Sequence, residues 1–326
     1  MSLAWKQESI KMIPRKAVYF FCRDLTRDPV AHHIYEASRR MFELKESSIT
    51  VDSRPVLLLE DHRKNSFFYV QTDDVLSHDY ARYMPVLNEY FDDFDFAGVV
   101  NWHEGKNAPD SILTVHTTGD VVSGYYGLSE PVCTRNLMLA VDDNRQTLGL
   151  DSFTTISEGT HWSGIPYGGK AELIPQYHVP LVDVEIGSSQ SSWSNTTAAE
   201  AIARSLPQVF ASRDVDQKIK VLLCVGGVHL EPSFASAVLT TRDAYPLAAG
   251  HILPNHWIVD GKYEAESGLE KLESCVNSII GGIHAIAFHD NLKGVYKAQL
   301  RLLGEQMGVP LFKHQRLRAP ESLPLW

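Results

Sequence analysis

Lys220-Val221-Leu222-Leu223-Cys224-Val225-Gly226-Gly227-Val228-His229-Leu230-Glu231-Pro232 decides how this chain folds. Lys220–Val225 is the strongest strand signal in the sequence, an apolar run stopped by turn residues. The two glycines let the backbone leave the sheet and approach a ligand closely. His229 is then delivered off the strand's carboxyl end, where α/β proteins place their ligands.

Outward from this stretch, further strands are predicted at Ala17–Cys22, Val56–Glu60, Phe67–Gln71, Phe96–Asn101, Ile112–His116, Leu181–Ile186, His284–Phe288 and Pro310–Phe312. Helical periodicity covers Pro29–Leu44, Tyr80–Phe91, Arg135–Thr147, Glu266–Ile280 and Leu292–Met307, with Thr196–Phe210 starting after an Asn195 cap. Strands alternating with helices predict an α/β fold, a largely parallel or mixed sheet covered on both faces. Alternation is most regular from Leu181 onward, and the first half carries adjacent strands that predict an antiparallel portion. Residues 1–315 read as one large α/β domain, with a subdivision near 150–180 left open, and 316–326 as a surface tail.

Composition narrows the function. A chain of 326 residues with 44% hydrophobic and 21% charged residues is an ordinary globular protein. No apolar stretch approaches the roughly 20 residues that span a bilayer, so no membrane partner is expected. The opening Met1-Ser2-Leu3-Ala4-Trp5-Lys6 lacks the layout of a secretory signal. Cys22, Cys133, Cys224 and Cys275 form no Cys-x-x-Cys pair, and three lie in apolar runs, which predicts free thiols and a cytoplasmic location. A net charge of −10 argues against broad binding to nucleic-acid backbone, and no DNA partner is expected. A local basic patch gripping one end of an RNA stays open, as does the oligomeric state.

Histidine carries the chemistry. His103, His116, His161, His229, His251 and His256 sit beside glycine, threonine or carboxylates where apolar runs stop. Imidazole suits both proton transfer near neutrality and zinc. His103, with Glu104, follows the predicted Phe96–Asn101 strand. His116 ends another strand, and Thr117-Thr118-Gly119 then offers hydroxyls and backbone donors to an anion or acyl oxygen. Thr160, His161 and Trp162 place a flat ring where it can stack on a base. Asp183 and Glu185 are costly on a buried strand unless paired or metal-bound. They are read as facing opposite sides of the sheet, with Glu185, nearer the turn, at the site. Gly187 and Ser188 offer N–H groups to an anion, and Gly226 and Gly227 offer close approach. The expected catalytic set is His116, His229, His103 and Glu185; the expected metal donors are His103, His161, His229, Glu104 and His251. His78 and the other histidines have no context that lifts them out of packing. Neither a Gly-x-Ser-x-Gly elbow nor a His-Glu-x-x-His helix is present, which removes the usual serine hydrolase and zincin readings.

At these motifs the chain resembles the D-aminoacyl-tRNA deacylase family of archaeal and plant type. The matching pieces are His103 ahead of Pro109, Leu113-Thr114-Val115-His116-Thr117-Thr118-Gly119, Thr160-His161, Val184-Glu185-Ile186-Gly187-Ser188-Ser189 with Trp193, Gly226-Gly227-x-His229, and Gly250-His251-Ile252-Leu253-Pro254. The resemblance implies a three-layer α/β/α fold like that of phosphorylases and peptidyl-tRNA hydrolase. It implies hydrolysis of the ester joining a D-amino acid to tRNA, with zinc as cofactor and aminoacylated tRNA as partner. The chain departs from the family pattern at Leu230-Glu231-Pro232-Ser233 and at Trp162-Ser163-Gly164, and Glu231 is expected to make the rim of the site more acidic. Two mechanisms follow: a zinc-bound water, or a histidine base with turn amides holding the oxyanion. The alternatives are a metal-dependent ester or amide hydrolase of a small aminoacyl substrate, and a protein that keeps the pocket without turnover.

Overall fold

A computed structural model describes residues 13–105, 107–211, 218–242 and 244–326. The Met1–Lys6 stretch read for a targeting signal lies outside the described residues. The chain forms an α/β fold with two mixed or parallel sheets flanked by helices.

The elements of the first half are β1 (Lys16–Cys22), α1 (Ala31–Met41), β2 (Lys45–Val51), β3 (Arg54–Glu60), β4 (Ser66–Thr72), α2 (Tyr80–Tyr90), β5 (Phe96–His103), β6 (Ser111–Thr117), β7 (Gly119–Asp120), β8 (Tyr125–Tyr126), α3 (Pro131–Thr147) and β9 (Thr154–Ile156). After them come β10 (Leu181–Ser188), α4 (Gln190–Trp193) and α5 (Thr196–Ser205). Eight of these strands make one sheet in the order β2-β3-β4-β1-β5-β10-β6-β9. β4, β1, β5 and β10 run parallel, whereas β2–β3, β3–β4 and β10–β6 are antiparallel. The antiparallel portion expected of the first half is thus a meander on one edge plus the reversal at β6.

The second half supplies β11 (Lys220–Val225), α6 (Pro232–Thr240), β12 (Leu247–Leu253), α7 (Asn255–Asp260), α8 (Glu266–Asn277), β13 (Ala285–Phe288), α9 (Gly294–Met307) and β14 (Leu311–Lys313). Its strands form an all-parallel sheet in the order β12-β11-β13-β14. Beyond it, Leu317 and Leu323 of the 316–326 segment pack with Leu222, Phe234 and Phe312. No described helix is long and apolar enough to cross a membrane.

Strand identity follows from alternation. Tyr19 faces the α5 side, where its hydroxyl donates to the Leu206 carbonyl, and Gly98 lets its ring pass toward Val184. Apolar Val182, Val184 and Ile186 join the core. The intervening Asp183, Glu185 and Gly187 necessarily face the other way. That second face carries the chemistry.

Two connections lock the sheets together beside it. Arg135 on α3, 2% exposed, donates to the carbonyls of Thr241, Arg242 and Leu247. The segment after β9 pairs across the seam: Gly159 N–H donates to the His229 carbonyl and Thr160 N–H to the Ile252 carbonyl.

Candidate active site

Register brings the polar side chains of three neighbouring strands onto one face. β10 lies between β5 and β6, with Glu185 opposite Asn101 and Thr114, Asp183 opposite His116, and Gly187 opposite His103. Residues in register share a face, as do residues two apart on one strand. Asp183 and Glu185 therefore point the same way, which corrects the expectation that they face opposite sides. His116 Nε2 lies 3.6 Å from Asp183 Oδ2 and 3.5 Å from Glu185 Oε1.

His103 crosses over Gly187. A Cβ at that glycine would stand 2.6 Å from His103 Cβ, so only glycine admits the ring. Ser188 Oγ, 2.6 Å from His103 Nδ1, then fixes its orientation.

Glu158 is the hub. It follows β9, is 1% exposed, and accepts hydrogen bonds from Thr114 Oγ1 and from His229 Nε2 at 2.7 Å. His103 Nε2 lies 3.3 Å from the same carboxylate oxygen that His229 meets. Burial pushes this carboxyl up, but the hydrogen bonds from His103 and His229 and the neighbouring imidazoles outweigh it and hold it well below the ordinary range. Asp183 and Glu185 move the other way: burial first, then the charge of Glu158, raises both well above the usual value.

The tautomers of two histidines follow from their partners. His116 Nδ1 donates to the Thr117 carbonyl at 3.2 Å and His161 Nδ1 to the Gly159 carbonyl at 2.9 Å. A carbonyl only accepts, so in the neutral imidazole Nε2 carries the lone pair on both rings, and on His116 it faces Glu185 Oε1 at 3.5 Å. The rings stack at 4.0 Å, and burial lowers His116 to about 4 and His161 well below its ordinary value. Orienting a histidine through the other ring nitrogen is the arrangement metal ligands use.

Three sets of donor atoms each lie within 4.8 Å of one another: His103–Glu158–His229, His116–Glu158–His161 and His116–Asp183–Glu185. Asp183 Oδ2 and Glu185 Oε2 are buried with no hydrogen-bond partner. Two orphaned carboxylate oxygens beside an imidazole lone pair need a proton or a cation between them. The nitrogen and oxygen donors are those zinc accepts. A cavity of about 670 Å³ opens beside this cluster, lined by His103, His161, Glu185 and His229 and walled by Trp102, Trp257, Tyr167 and His78.

A model of the D-aminoacyl-tRNA deacylase family matches residues 90–312, more than half of the chain. This chain belongs to that family. The D-aminoacyl-tRNA deacylase of Pyrococcus abyssi is 25% identical over 295 residues, covering 88% of this chain and 96% of that protein. That of Pyrococcus furiosus is 32% identical over 151 residues, covering 44% and 48% respectively. Among solved structures, a conserved protein of unknown function, AF0625, matches with a TM-score of 0.71 at 20% identity, covering 94% of this chain and 97% of its own, which shows the shared fold. Members of the family are hydrolases that act on an ester bond.

Set against the deacylase motifs, the structure gathers His103, His116, His161, His229 and Glu185 in one neighbourhood: His161 and His229 are 5.0 Å apart by ring centroid and His103 and His229 6.2 Å. His256 adjoins His229 at 6.5 Å. Other expected residues sit elsewhere. His251 is framework: Nδ1 meets Thr117 Oγ1 at 2.9 Å and Thr160 Oγ1 at 3.1 Å, Nε2 meets Ser278 Oγ at 2.9 Å, and no nitrogen is left for a metal. Glu104 is exposed on the cavity wall and joins none of the donor sets among the described residues.

Amides expected to hold an anion, or to approach a ligand closely, are taken by framework partners. Gly119 N–H donates to the His161 carbonyl, Ser188 N–H to Asp110, and Gly226 N–H to Leu253. Gly227 N–H donates to Asn291 Oδ1. Thr118 Oγ1 donates to the Leu181 carbonyl, and Thr117 Oγ1 is taken by His251 and Thr160. Gly119, Thr160 and Trp162 line the cavity; Thr117, Thr118, Gly187, Ser188, Gly226 and Gly227 do not. Trp162 lines the cavity but is only 2% exposed, and it makes an edge-to-face contact with Tyr80 at 4.7 Å. Glu231 caps α6 through Ser233 N–H and lies 3.6 Å from His289, away from the cavity wall, so it does not acidify the rim.

Sequence reasoning missed Glu158, although it stands in the quoted Glu158-Gly159-Thr160-His161 stretch, and missed His78 and Tyr167. The available signal for Glu158 was a lone acid between an apolar strand and Gly-Thr-His.

Proposed function

We propose that this chain hydrolyses the ester linking a D-amino acid to tRNA, in the cytoplasm, with zinc bound at the histidine–carboxylate cluster. The observation that carries the reading is His229, half-buried on the cavity wall and held by the buried Glu158 carboxylate, in a chain of the deacylase family. His116, His161, Glu158, Asp183 and Glu185 are the residues that would hold the metal. When bound, zinc supplies a Lewis acid for the ester carbonyl and lowers the pKa of a water toward about 7.

The chain's own residues position and transfer the proton. Glu158 accepts the Nε2 proton of His229, which leaves Nδ1 as the basic nitrogen for the attacking water's proton. That proton is then passed to the ribose oxygen as the ester bond breaks. His103, fixed by Ser188, keeps Glu158 in place from the other side. Trp257, whose ring stands perpendicular to His229 at 5.0 Å, shields the imidazole from bulk water. The four buried free thiols suit a reducing compartment.

The test is release of labelled D-tyrosine from D-Tyr-tRNA by purified protein, with L-Tyr-tRNA as control, alongside a metal assay. Preferential cleavage of the D-ester with stoichiometric zinc is expected. No turnover by zinc-replete protein rejects the deacylase reading, whereas full turnover by metal-free protein rejects zinc alone.

A further inference from the structure

We propose that His78, Trp102 and Tyr167 form a stacking platform for the terminal adenine base of the tRNA substrate. This rests on the deacylase reading and names the part of the substrate that the cavity grips.

Tyr167 lies nearly parallel to His78, ring centroids 3.6 Å apart at 23°, and Trp102 stands edge-on to His78 at 5.7 Å and 79°. All three line the cavity, yet Tyr167 is 58% exposed. One face of its ring packs on His78, and so large an exposure leaves much of the rest to solvent, as ring edge or open face.

The stack is built before any ligand arrives. Ser163 Oγ donates to Ser77 Oγ at 2.7 Å, and Gly164 packs so closely on the Ser77 carbonyl that a Cβ would stand 2.0 Å from it. These contacts fasten the turn Ile165–Tyr167 to the residue before His78, and Gly168 at φ +85° reverses the chain directly after Tyr167. Burial lowers His78 to about 4, so the ring beneath Tyr167 is a neutral imidazole.

Position and charge select the occupant. The platform residues line the same cavity as His103, Glu185 and His229, so a base stacked there lies beside the cluster where the ester is cleaved. The ester of an aminoacyl-tRNA sits on the ribose of a terminal adenosine, so its base must lie one sugar away from the reacting carbonyl. A cavity of about 670 Å³ falls in the range that encloses a drug-sized ligand, about 300–1,000 Å³, and exceeds what an amino acid alone fills. Among the described residues its wall carries no Lys or Arg. Recognition at this end therefore comes from stacking on a π-face rather than from phosphate pairing.

Two measurements on the full chain test this. In the first, binding of AMP is compared by calorimetry for the parent, Tyr167→Ala and Tyr167→Trp. Loss on the order of ten- to hundredfold in Tyr167→Ala, with retention in Tyr167→Trp, is expected. Equal affinity in parent and Tyr167→Ala, or no AMP binding by the parent, overturns the platform. In the second, the ratio of kcat/KM for D-Tyr-tRNA to that for D-tyrosine ethyl ester is expected to fall by a similar factor in Tyr167→Ala. An unchanged ratio overturns the platform while leaving the deacylase intact. If the parent cleaves neither ester, the deacylase reading fails, and AMP binding still reports whether the stack holds a base.

Discussion

Glu158 shows what one residue can organise when its surroundings supply only donors. Thr114, His103 and His229 all converge on its carboxylate, and it is sealed from water. Glu158→Gln keeps the volume but replaces an acceptor pair with one acceptor and one donor, which collides with whichever imidazole N–H it meets. On the proposed zinc site, metal affinity is expected to fall by at least about 10–100-fold and turnover with it, because Glu158 is one of the groups that would hold the metal and even a residue that only orients ligands costs that much. Titration of the variant with zinc under a competing chelator measures this, and unaltered affinity would dissociate Glu158 from the metal. Gly187 makes the complementary point, because there the missing atom matters. Gly187→Ala forces His103 or the β5 backbone aside, at a cost of roughly 1–3 kcal/mol for overpacking. Activity should fall further than the melting temperature implies, since the displaced ring is His103 itself. A variant with lowered melting temperature and parental kcat/KM would contradict that assignment.

At the scale of elements, α1 offers a pH-dependent feature that the active site does not obscure. Asp28, fully buried, accepts the Val30 and Ala31 amides at the start of this helix through Oδ1, while Oδ2 has no partner. Burial raises its pKa from the ordinary 3.8 to about 7, against the lowering by those two amides. The folded state thus holds the proton more tightly than the unfolded chain. Stability from this group is present below pH 4 and is lost as pH rises toward 7. Asp28→Asn keeps an acceptor for the amides and removes the titration. Denaturant unfolding of both proteins should show the variant gaining on the parent between pH 4 and 7, and a constant difference across that window would refute the assignment. The same scale explains what the sequence disclosed. β1 and β11 are nearly unbroken apolar runs, and β5 and β10 keep an apolar majority around their polar residues, so all four were legible as strands. β12 was not, because Leu247-Ala248-Ala249-Gly250 lacks the β-branched residues that mark a strand, and β2 was not, because Lys45–Thr50 alternates polar residues on an exposed edge. The histidines at strand ends were legible for the same reason the strands were. Glu158 and the His78–Tyr167 stack were not, since their partners lie 44 to 89 residues away and only the folded packing of strands and loops brings them near.

For the molecule as a whole, the cavity lies where the eight-stranded and four-stranded sheets meet, so its geometry depends on how firmly they are joined. His251 of β12 is one fastening. Ser278 Oγ donates to the Cys275 carbonyl, so His251 Nε2–H donates to Ser278, and the hydroxyl pair Thr117–Thr160 supplies the donor for Nδ1. Both nitrogens are used, and burial lowers the imidazole to about 3, so it remains neutral and fully satisfied. A metal ligand and a framework histidine respond oppositely to truncation. His251→Ala strands buried hydroxyls on Thr117 and Ser278 and opens a cavity between the sheets, costing about 2–4 kcal/mol. If zinc binds as proposed, its stoichiometry should stay at the parental value while the melting temperature drops by several degrees. His116→Ala should do the reverse, losing metal with a smaller thermal penalty once the orphaned Asp183 and Glu185 are protonated, as their raised pKa values favour. Parallel metal analysis and calorimetry on the two variants decide the matter: zinc lost from His251→Ala but kept by His116→Ala would move the metal site to the seam and undo the division of labour among these histidines.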